Sequence, residues 1–172
     1  NNNLIPGVIS GLPDSIKEFA CHFNQITSIA SLPATLKNLY CQNNLLTNLP
    51  VLPPTLTNLT FQNNPLPYFV LPPNLVYLNC SNTTTSLLPV LPTTLKEMFC
   101  SNNLLQSLPN LPNTITRLYC DHNQLSTIPT LPNNLLQLQC NTNLLTSLPP
   151  LPNSLTHLYV DSNNISCLPL LP

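Results

Sequence analysis

Residues 111–132 read LPNTITRLYCDHNQLSTIPTLP. The stretch opens and closes on Leu-Pro. Between the two pairs, a thiol, a carboxylate and an imidazole fall on three consecutive residues, Cys120, Asp121 and His122. Two readings compete: a cysteine-hydrolase or metal cluster, or one turn of something periodic. The Leu-Pro pair decides between them. It recurs in register at Leu12, Leu32, Leu52, Leu71, Leu91, Leu111, Leu131, Leu151 and Leu171, every step being 20 residues except the 19 from Leu52 to Leu71. The chain is a repeat protein, and the three residues are to be read by their slots in the repeat.

Written out, the unit is LPxTLxxLxCxxNxLxxLPx. Leu36, Leu39, Cys41, Asn44, Leu46 and Leu49 fill one copy; Ile115, Leu118, Cys120, Asn123, Leu125 and Ile128 fill another. Repeats begin at residues 12, 32, 52, 71, 91, 111, 131 and 151, after a partial repeat over 1–11 in which Asn3, Ile5 and Val8 stand in the asparagine and apolar slots with one residue extra. Around Leu118 the residues alternate as in a strand: Leu118 and Cys120 inward, Tyr119 and Asp121 outward. One short strand per unit stacks in parallel on its neighbours, because no unit can bury its apolar side alone. The asparagine after the strand (Asn24, Asn44, Asn64, Asn103, Asn123, Asn143, Asn163) must be bonded if buried, and a ladder to turn backbone and to the next unit is expected. Two prolines per return path block a helix and predict extended, polyproline-II-like turns. The Ser, Thr or Asn at 15, 35, 55, 74, 94, 114, 134 and 154 suits a local turn cap.

This unit resembles the leucine-rich repeat, LxxLxLxxNxL, with cysteine in the third apolar slot. The 20-residue length and doubled LPxLP resemble the shortest bacterial class, found in type III secretion effectors of the YopM and IpaH group. The resemblance covers nearly all of residues 1–172. It implies a horseshoe solenoid with one parallel β-sheet on the concave face and extended convex turns, a secreted-effector or cell-surface setting, a role in virulence, and protein binding through the concave strands. The ubiquitin ligases of that group carry Cys-x-Asp in a separate catalytic domain, and no Cys-x-Asp occurs in this sequence.

Composition removes other classes. Only 9 of 172 residues are charged and the net charge is −1, so no basic footprint for nucleic acid is present. No apolar run approaches the ~18 residues of a spanning helix, and no polybasic stretch suits a membrane surface. The first ten residues lack the basic and apolar segments of a signal peptide. Both ends of the repeat array read as uncapped, so a longer parent chain, or ends that pack on something, is expected.

Six of seven cysteines (21, 41, 80, 100, 120, 140) share the inward column. They read as small buried hydrophobes with free thiols. A straight row spaced ~4.8 Å apart does not converge on a tetrahedral metal, and it holds Cβ atoms slightly too far apart for a bridge. Cys167 lies outside the column and is the candidate reactive thiol. No catalytic residue, metal site or cofactor is expected.

Function is sought on the outward positions of the strand segments, the segments in which eight of the nine charges fall. The central column carries Tyr40, Phe99, Tyr119 and Tyr159; the flanking columns carry Tyr77, Glu97, Arg117, His157 and Asp121. Exposed aromatics beside a few charges are the residue types of a protein-recognition surface, although aromatics also favour strands and ladder across them. The expected role is a protein-binding module using these nine residues, with a protein ligand as partner. A structural, adhesive or self-associating segment, acting through its ends or its convex side, is the alternative. Ice binding by the Ser/Thr-rich flank is a minor one, since Pro67, Tyr68, Leu87 and Gln106 interrupt that array. The unit from Leu52 is irregular: Phe61 replaces the cysteine, Phe69 the leucine, and Pro65 and Pro67 crowd the turn. Thr83 and Thr85 follow where Asn and Leu are due. A bulge or a partner-contacting notch near Tyr68 is expected there.

Overall fold

The structure, a computed structural model, describes residues 6–170. It contains ten strands: β1 (Pro6–Ile9), β2 (Glu18–Ala20), β3 (Gln25–Ile29), β4 (Asn38–Tyr40), β5 (Asn58–Thr60), β6 (Tyr77–Asn79), β7 (Glu97–Phe99), β8 (Arg117–Tyr119), β9 (Gln137–Gln139) and β10 (His157–Tyr159). Eight of them form one parallel sheet in the order β2-β4-β5-β6-β7-β8-β9-β10, one strand per repeat. Equivalent slots face one another across it: Leu39 opposite Leu59, Met98 opposite Leu118, Leu118 opposite Leu138. Among the described residues there is no helix, in line with two prolines per return path.

The inward column is dry. Leu36, Leu39, Leu46, Leu56, Leu59, Leu75, Leu78 and Leu95 are fully buried, and each contributes about 2 kcal/mol by leaving water; their equivalents in the terminal units, such as Ile16, Phe19, Leu155 and Leu158, are only partly buried. Three ladders of polar bonds join one unit to the next. The first is the sheet itself. The second is the asparagine ladder, which reaches to the preceding unit and not the next one. Asn143 Nδ2 donates to the carbonyls of Cys140 in its own turn and Cys120 in the unit before, and its Oδ1 accepts the N–H of Leu125. Asn44, Asn64, Asn123 and Asn163 repeat that pattern.

The third ladder corrects the expectation of local capping at the strand entrance. Thr35 Oγ1 donates to the carbonyls of Asp14 and Ile16; Thr55 does so to Ala34 and Leu36, and Thr114 to Thr93 and Leu95. These hydroxyls staple neighbouring units together. The local turn is closed by backbone alone, as in Ile115 N–H to Pro112 O at 3.1 Å. Proline starts each turn and has no donor to waste there.

One residue before each ladder asparagine, and before Thr83 in the same slot, the backbone enters the left-handed region: Phe23, Asn43, Asn63, Asn82, Asn102, His122, Thr142 and Ser162 all have φ between 51° and 58°. Asparagine occupies four of these eight positions because its short amide tolerates that conformation best among non-glycine residues.

The irregular unit repacks without breaking the solenoid. Phe61 is fully buried, and its ring meets Phe69 edge-on at 4.9 Å. Pro65 has no N–H for the bond that Leu45 gives to Ile26 one unit earlier. Thr85, buried in a leucine slot, donates its hydroxyl to Pro67 O and Leu87 O. Thr83 Oγ1 donates to Cys80 O in its own turn and to Asn103 Oδ1 in the following unit but to no carbonyl of the preceding one, so the asparagine ladder skips one rung.

At the start of the array, β1 pairs in parallel with β3, a two-stranded sheet absent from the sequence reading. Gly7, at φ 91°, sits where the register shifts. The shift corrects the slot assignment of Val8: Ile9 lies opposite Ile29 and packs on the core, while Val8 is exposed. Asn3, Ile5, Leu171 and Pro172 lie outside the described residues.

Candidate functional site: the outward strand face

Tyr77, Phe99 and Tyr119 come together on adjacent strands. The Tyr77 and Phe99 rings lie 5.3 Å apart and tilted, and Phe99 meets Tyr119 edge-on at 4.9 Å. Both separations are those of attractive aromatic pairs. The three side chains are half-buried, so they are less exposed than an isolated outward column predicts. Tyr119 extends the row by donating its hydroxyl to Gln137 Oε1 at 2.8 Å. Beside the rings, Arg117 pairs with Glu97 at 3.3 Å, both partly in water. Burial, and then the neighbouring Glu97 carboxylate, pushes the Tyr77 phenol up from its usual range.

The other expected site residues are apart from this row. Tyr40 is on β4, two strands before Tyr77; Tyr159 is on β10, two strands beyond Tyr119, and half exposed. His157, also on β10, is exposed, with Nδ1 2.9 Å from Thr156 Oγ1. Asp121 faces the strand side as expected, but it is buried and not solvated, at 7% exposure, and accepts a hydrogen bond from Ser101 Oγ.

No protein-family profile and no curated protein matches the chain. Solved structures do. The leucine-rich effector YopM of Yersinia pestis superposes with a TM-score of 0.92 at 33% identity, over 96% of this chain and 48% of that one. The functional domain of InlJ from Listeria monocytogenes, which includes a cysteine ladder, gives 0.81 at 30% identity over 89% of this chain and 36% of that one. A Shigella effector leucine-rich-repeat domain gives 0.55 at 32% identity, over 81% of this chain and 55% of that one. The chain is a leucine-rich repeat protein. It spans about half the length of the YopM structure it matches. The outward strand face is therefore the concave face of a leucine-rich repeat horseshoe.

The repeat resolves the Cys-Asp-His triplet. Cys120 is inward and fully buried, Asp121 is on the concave side, and His122 is exposed in the left-handed slot of the turn. Three residues on three faces do not form one constellation. The cysteine column is a ladder of buried, unpaired thiols, and burial pushes Cys21 up to about 11 and Cys80 and Cys140 to about 12. Cys41, Cys100 and Cys120 are raised as well, burial again first among the causes. Protonated, enclosed thiols are poor nucleophiles. A maleimide added to the native protein should label Cys167, which is exposed, and the six column thiols only after denaturation, as counted by mass spectrometry. Fast native labelling of Cys120 would refute the inward register. Among the described residues no group of three metal-ligating side chains converges, and no helix is long and apolar enough to cross a membrane.

Sequence reasoning located the bulge near Tyr68 but missed its character. An apolar notch of about 590 Å³ opens on the convex side between Leu49, Pro50, Val51, Tyr68, Val70 and Pro72. Its lips are among the most exposed apolar residues of the chain, Val51 at 93% and Val70 at 80%. The signal was present: the x of LPxLP is valine in three successive units, Val51, Val70 and Val90, where later units have Asn110 and Thr130. Also missed was Asn141, in the same concave column as Asp121. Its Oδ1 is closed off from solvent and accepts no hydrogen bond.

Proposed function

We propose that this leucine-rich repeat module recognises a protein through its concave face, with Tyr77, Phe99 and Tyr119 as the anchor. The observation that carries the reading is the continuous ring ladder on an open sheet, beside a solvent-facing ion pair. Half-buried aromatics lose little conformational entropy when covered and offer large contact areas, which is why such side chains dominate binding energetics. Glu97 and Arg117 flank the row and set orientation more than affinity. Tyr40, Asp121, His157 and Tyr159 belong to the outer contact area. YopM and the Shigella protein are effectors, so a secreted-effector or surface setting is the context in which a partner is to be sought. A second reading, contact with a partner or a second copy through the convex side, is favoured by the apolar notch at Tyr68.

The test compares wild type with a Phe99→Ala/Tyr119→Ala double variant in a pull-down or titration against each captured partner. Truncating an aromatic anchor costs about 2 kcal/mol or more, roughly thirtyfold in affinity. Equal thermal stability of the two proteins is checked first, because the rings also pack on each other. Undiminished binding by the double variant would move the contact surface to the notch, where Tyr68→Ala is the next variant to make.

A further inference from the structure

We infer that the concave surface of β4, β5 and β6 binds a neutral glycan, with the Tyr40 and Tyr77 rings as stacking platforms and the Gln42 and Asn58 amides as hydrogen-bonding groups. This goes beyond the protein-binding reading. It concerns the strands on the far side of Tyr77 from Phe99, and it stands if that reading fails.

Charge is distributed unevenly along the chain. Between Lys37 and Lys96 there is no aspartate, glutamate, lysine, arginine or histidine. β4, β5 and β6 all fall in that interval, whereas β2 before it carries Glu18, and β7 and β8 beyond it carry Glu97 and Arg117. What the three strands present instead is uniform in kind. Their outward positions are Asn38 and Tyr40, Asn58 and Thr60, and Tyr77 and Asn79; the column after the strands adds Gln42, Gln62 and Ser81. Every one is a carboxamide, a hydroxyl or a phenol, and none is aliphatic. All but Thr60 are partly exposed. On the convex side of the same units the exposed residues include Val51, Val70 and Val90. The choice of amides and rings therefore belongs to the concave face and not to this stretch of chain as a whole.

The strands hold these groups in a regular array. Asn38 stands opposite Asn58, and Asn58 opposite Tyr77; Tyr40 stands opposite Thr60, and Thr60 opposite Asn79. Tyr40 and Tyr77 are therefore on a diagonal, two rungs or about 9.6 Å apart across the sheet. Asn58 and Thr60 lie on the strand between them. Several of the polar groups are positioned and still uncommitted. Thr60 Oγ1 donates to Gln42 Oε1 at 2.7 Å, which fixes the Gln42 amide and leaves its N–H donors unused. The side-chain amide of Asn58 and the hydroxyl of Tyr40 make no hydrogen bond among the described residues. Groups held in place before the ligand arrives lower the ordering cost of binding it.

A neutral sugar matches this surface group by group. Each of its hydroxyls both donates and accepts, as a carboxamide and a phenol do. The C–H-rich face of a sugar ring is slightly positive and lies on the negative face of an aromatic ring. A neutral polyol brings no ion to desolvate. The patch has no counter-ion to offer one, and an unpaired charge buried there would be costly. A protein segment fits less well. Protein contacts centre on apolar anchors in desolvated pockets, whereas this patch has no aliphatic side chain and the apolar notch lies on the convex side. The chemistry is the same whether the glycan is a free polysaccharide or is carried on a protein.

The probe is an array of neutral oligosaccharides of the gluco-, manno-, galacto- and xylo-series, with sulfated and uronic-acid glycans printed beside them. It is read with the tagged chain, and the sugars that bind are then titrated by calorimetry. At least one neutral series should bind, and the anionic ones should not. Affinity should be unchanged as salt is raised, because no ion pair is formed. It should fall roughly fivefold with Asn58→Ala and roughly tenfold with Tyr40→Ala. Both side chains are partly exposed and free of hydrogen bonds, so thermal stability should be kept. Phe99→Ala/Tyr119→Ala is the control and should leave glycan affinity unchanged. A glycoprotein carrying the sugar series that binds best, compared before and after its chains are cut off, tells the two sources apart. Binding lost with the chains identifies a carried glycan, and binding to free polymer alone identifies a polysaccharide. Equal binding to the stripped protein overturns the inference in favour of a protein ligand. So does silence from every neutral series, or glycan binding that ignores both Tyr40→Ala and Asn58→Ala.

Discussion

Raising the pH from 8 to 10 should unfold this chain cooperatively, although it contains only three lysines to discharge. The cause is the thiol ladder. Cys21 is pushed up to about 11, Cys80 and Cys140 to about 12, and Cys41, Cys100 and Cys120 are raised too, in each case chiefly by burial. In the unfolded chain a thiol titrates near ~8.5. Above that value the unfolded state binds fewer protons than the folded one, so stability falls as pH rises. The contribution is fully present below pH ~8.5 and is lost on the way to the folded values. Each thiol gives a slope of about 1.4 kcal/mol per pH unit, and six give roughly 8. Against the ~5–15 kcal/mol of an ordinary domain, the fold should be lost between about pH 9.5 and 10. The raised Tyr77 phenol adds in the same direction at the upper end. Urea titrations followed by circular dichroism under reducing conditions, at half-unit pH steps, measure the slope. A Cys80→Ala/Cys140→Ala variant starts less stable at pH 8 but should lose stability about a third more slowly per pH unit. A urea midpoint unchanged from pH 8 to 10 would show that the core accepts thiolates.

That the thiols line the core could be read from the sequence because alternation around Leu118 fixes which side each residue takes, and the 20-residue period repeats the assignment in every unit. Strand order, parallel register and the burial of Cys120 follow from the same two facts. What escaped reading was which partner each polar side chain takes in a neighbouring unit, since position within one unit does not set it. The threonine before each first leucine has the local propensity of a turn cap, yet Thr35 and Thr114 spend their hydroxyls on carbonyls of the preceding unit. A single unit carries no mark of that choice. The left-handed slot was legible in principle, from the asparagines at 43, 63, 82 and 102, but asparagine fills only four of its eight positions, against all but one in the ladder column beside it. On the concave face, alternation placed Phe99 and Tyr119 together correctly. It could not place Tyr77, which belongs to a different column and reaches Phe99 on the diagonal. Nor could it give the enclosure of Asp121, which depends on Ser101 one strand away.

Asn103→Ala should be the most destabilising single truncation in the ladder, at about 3–4 kcal/mol. Asn103 is the rung that covers the skipped one. Its Nδ2 donates to Cys80 O and Cys100 O at 2.9 and 3.1 Å, and its Oδ1 accepts from Thr83 N–H, Thr83 Oγ1 and Thr85 N–H. In other units one backbone N–H depends on the asparagine oxygen, as Leu125 depends on Asn143. Here there are two. After truncation the carbonyls keep a partner each, Thr83 Oγ1 for Cys80 and Asn123 Nδ2 for Cys100. The Thr83 and Thr85 N–H groups are left in a buried turn with none of the bonds described above. Orphaned buried N–H groups are rare in folded proteins and cost about 1–3 kcal/mol each. By that reckoning Asn143→Ala, with one orphan, should cost roughly 2 kcal/mol. Asn102→Ala should cost least, since the side chain is exposed and only a left-handed backbone preference is lost. Urea midpoints of the three variants measured side by side give the ranking. Equal losses at Asn103 and Asn143 would mean that the irregular turn after Cys80 relaxes to re-pair its own N–H groups, and that the ladder is not under special demand where it skips a rung.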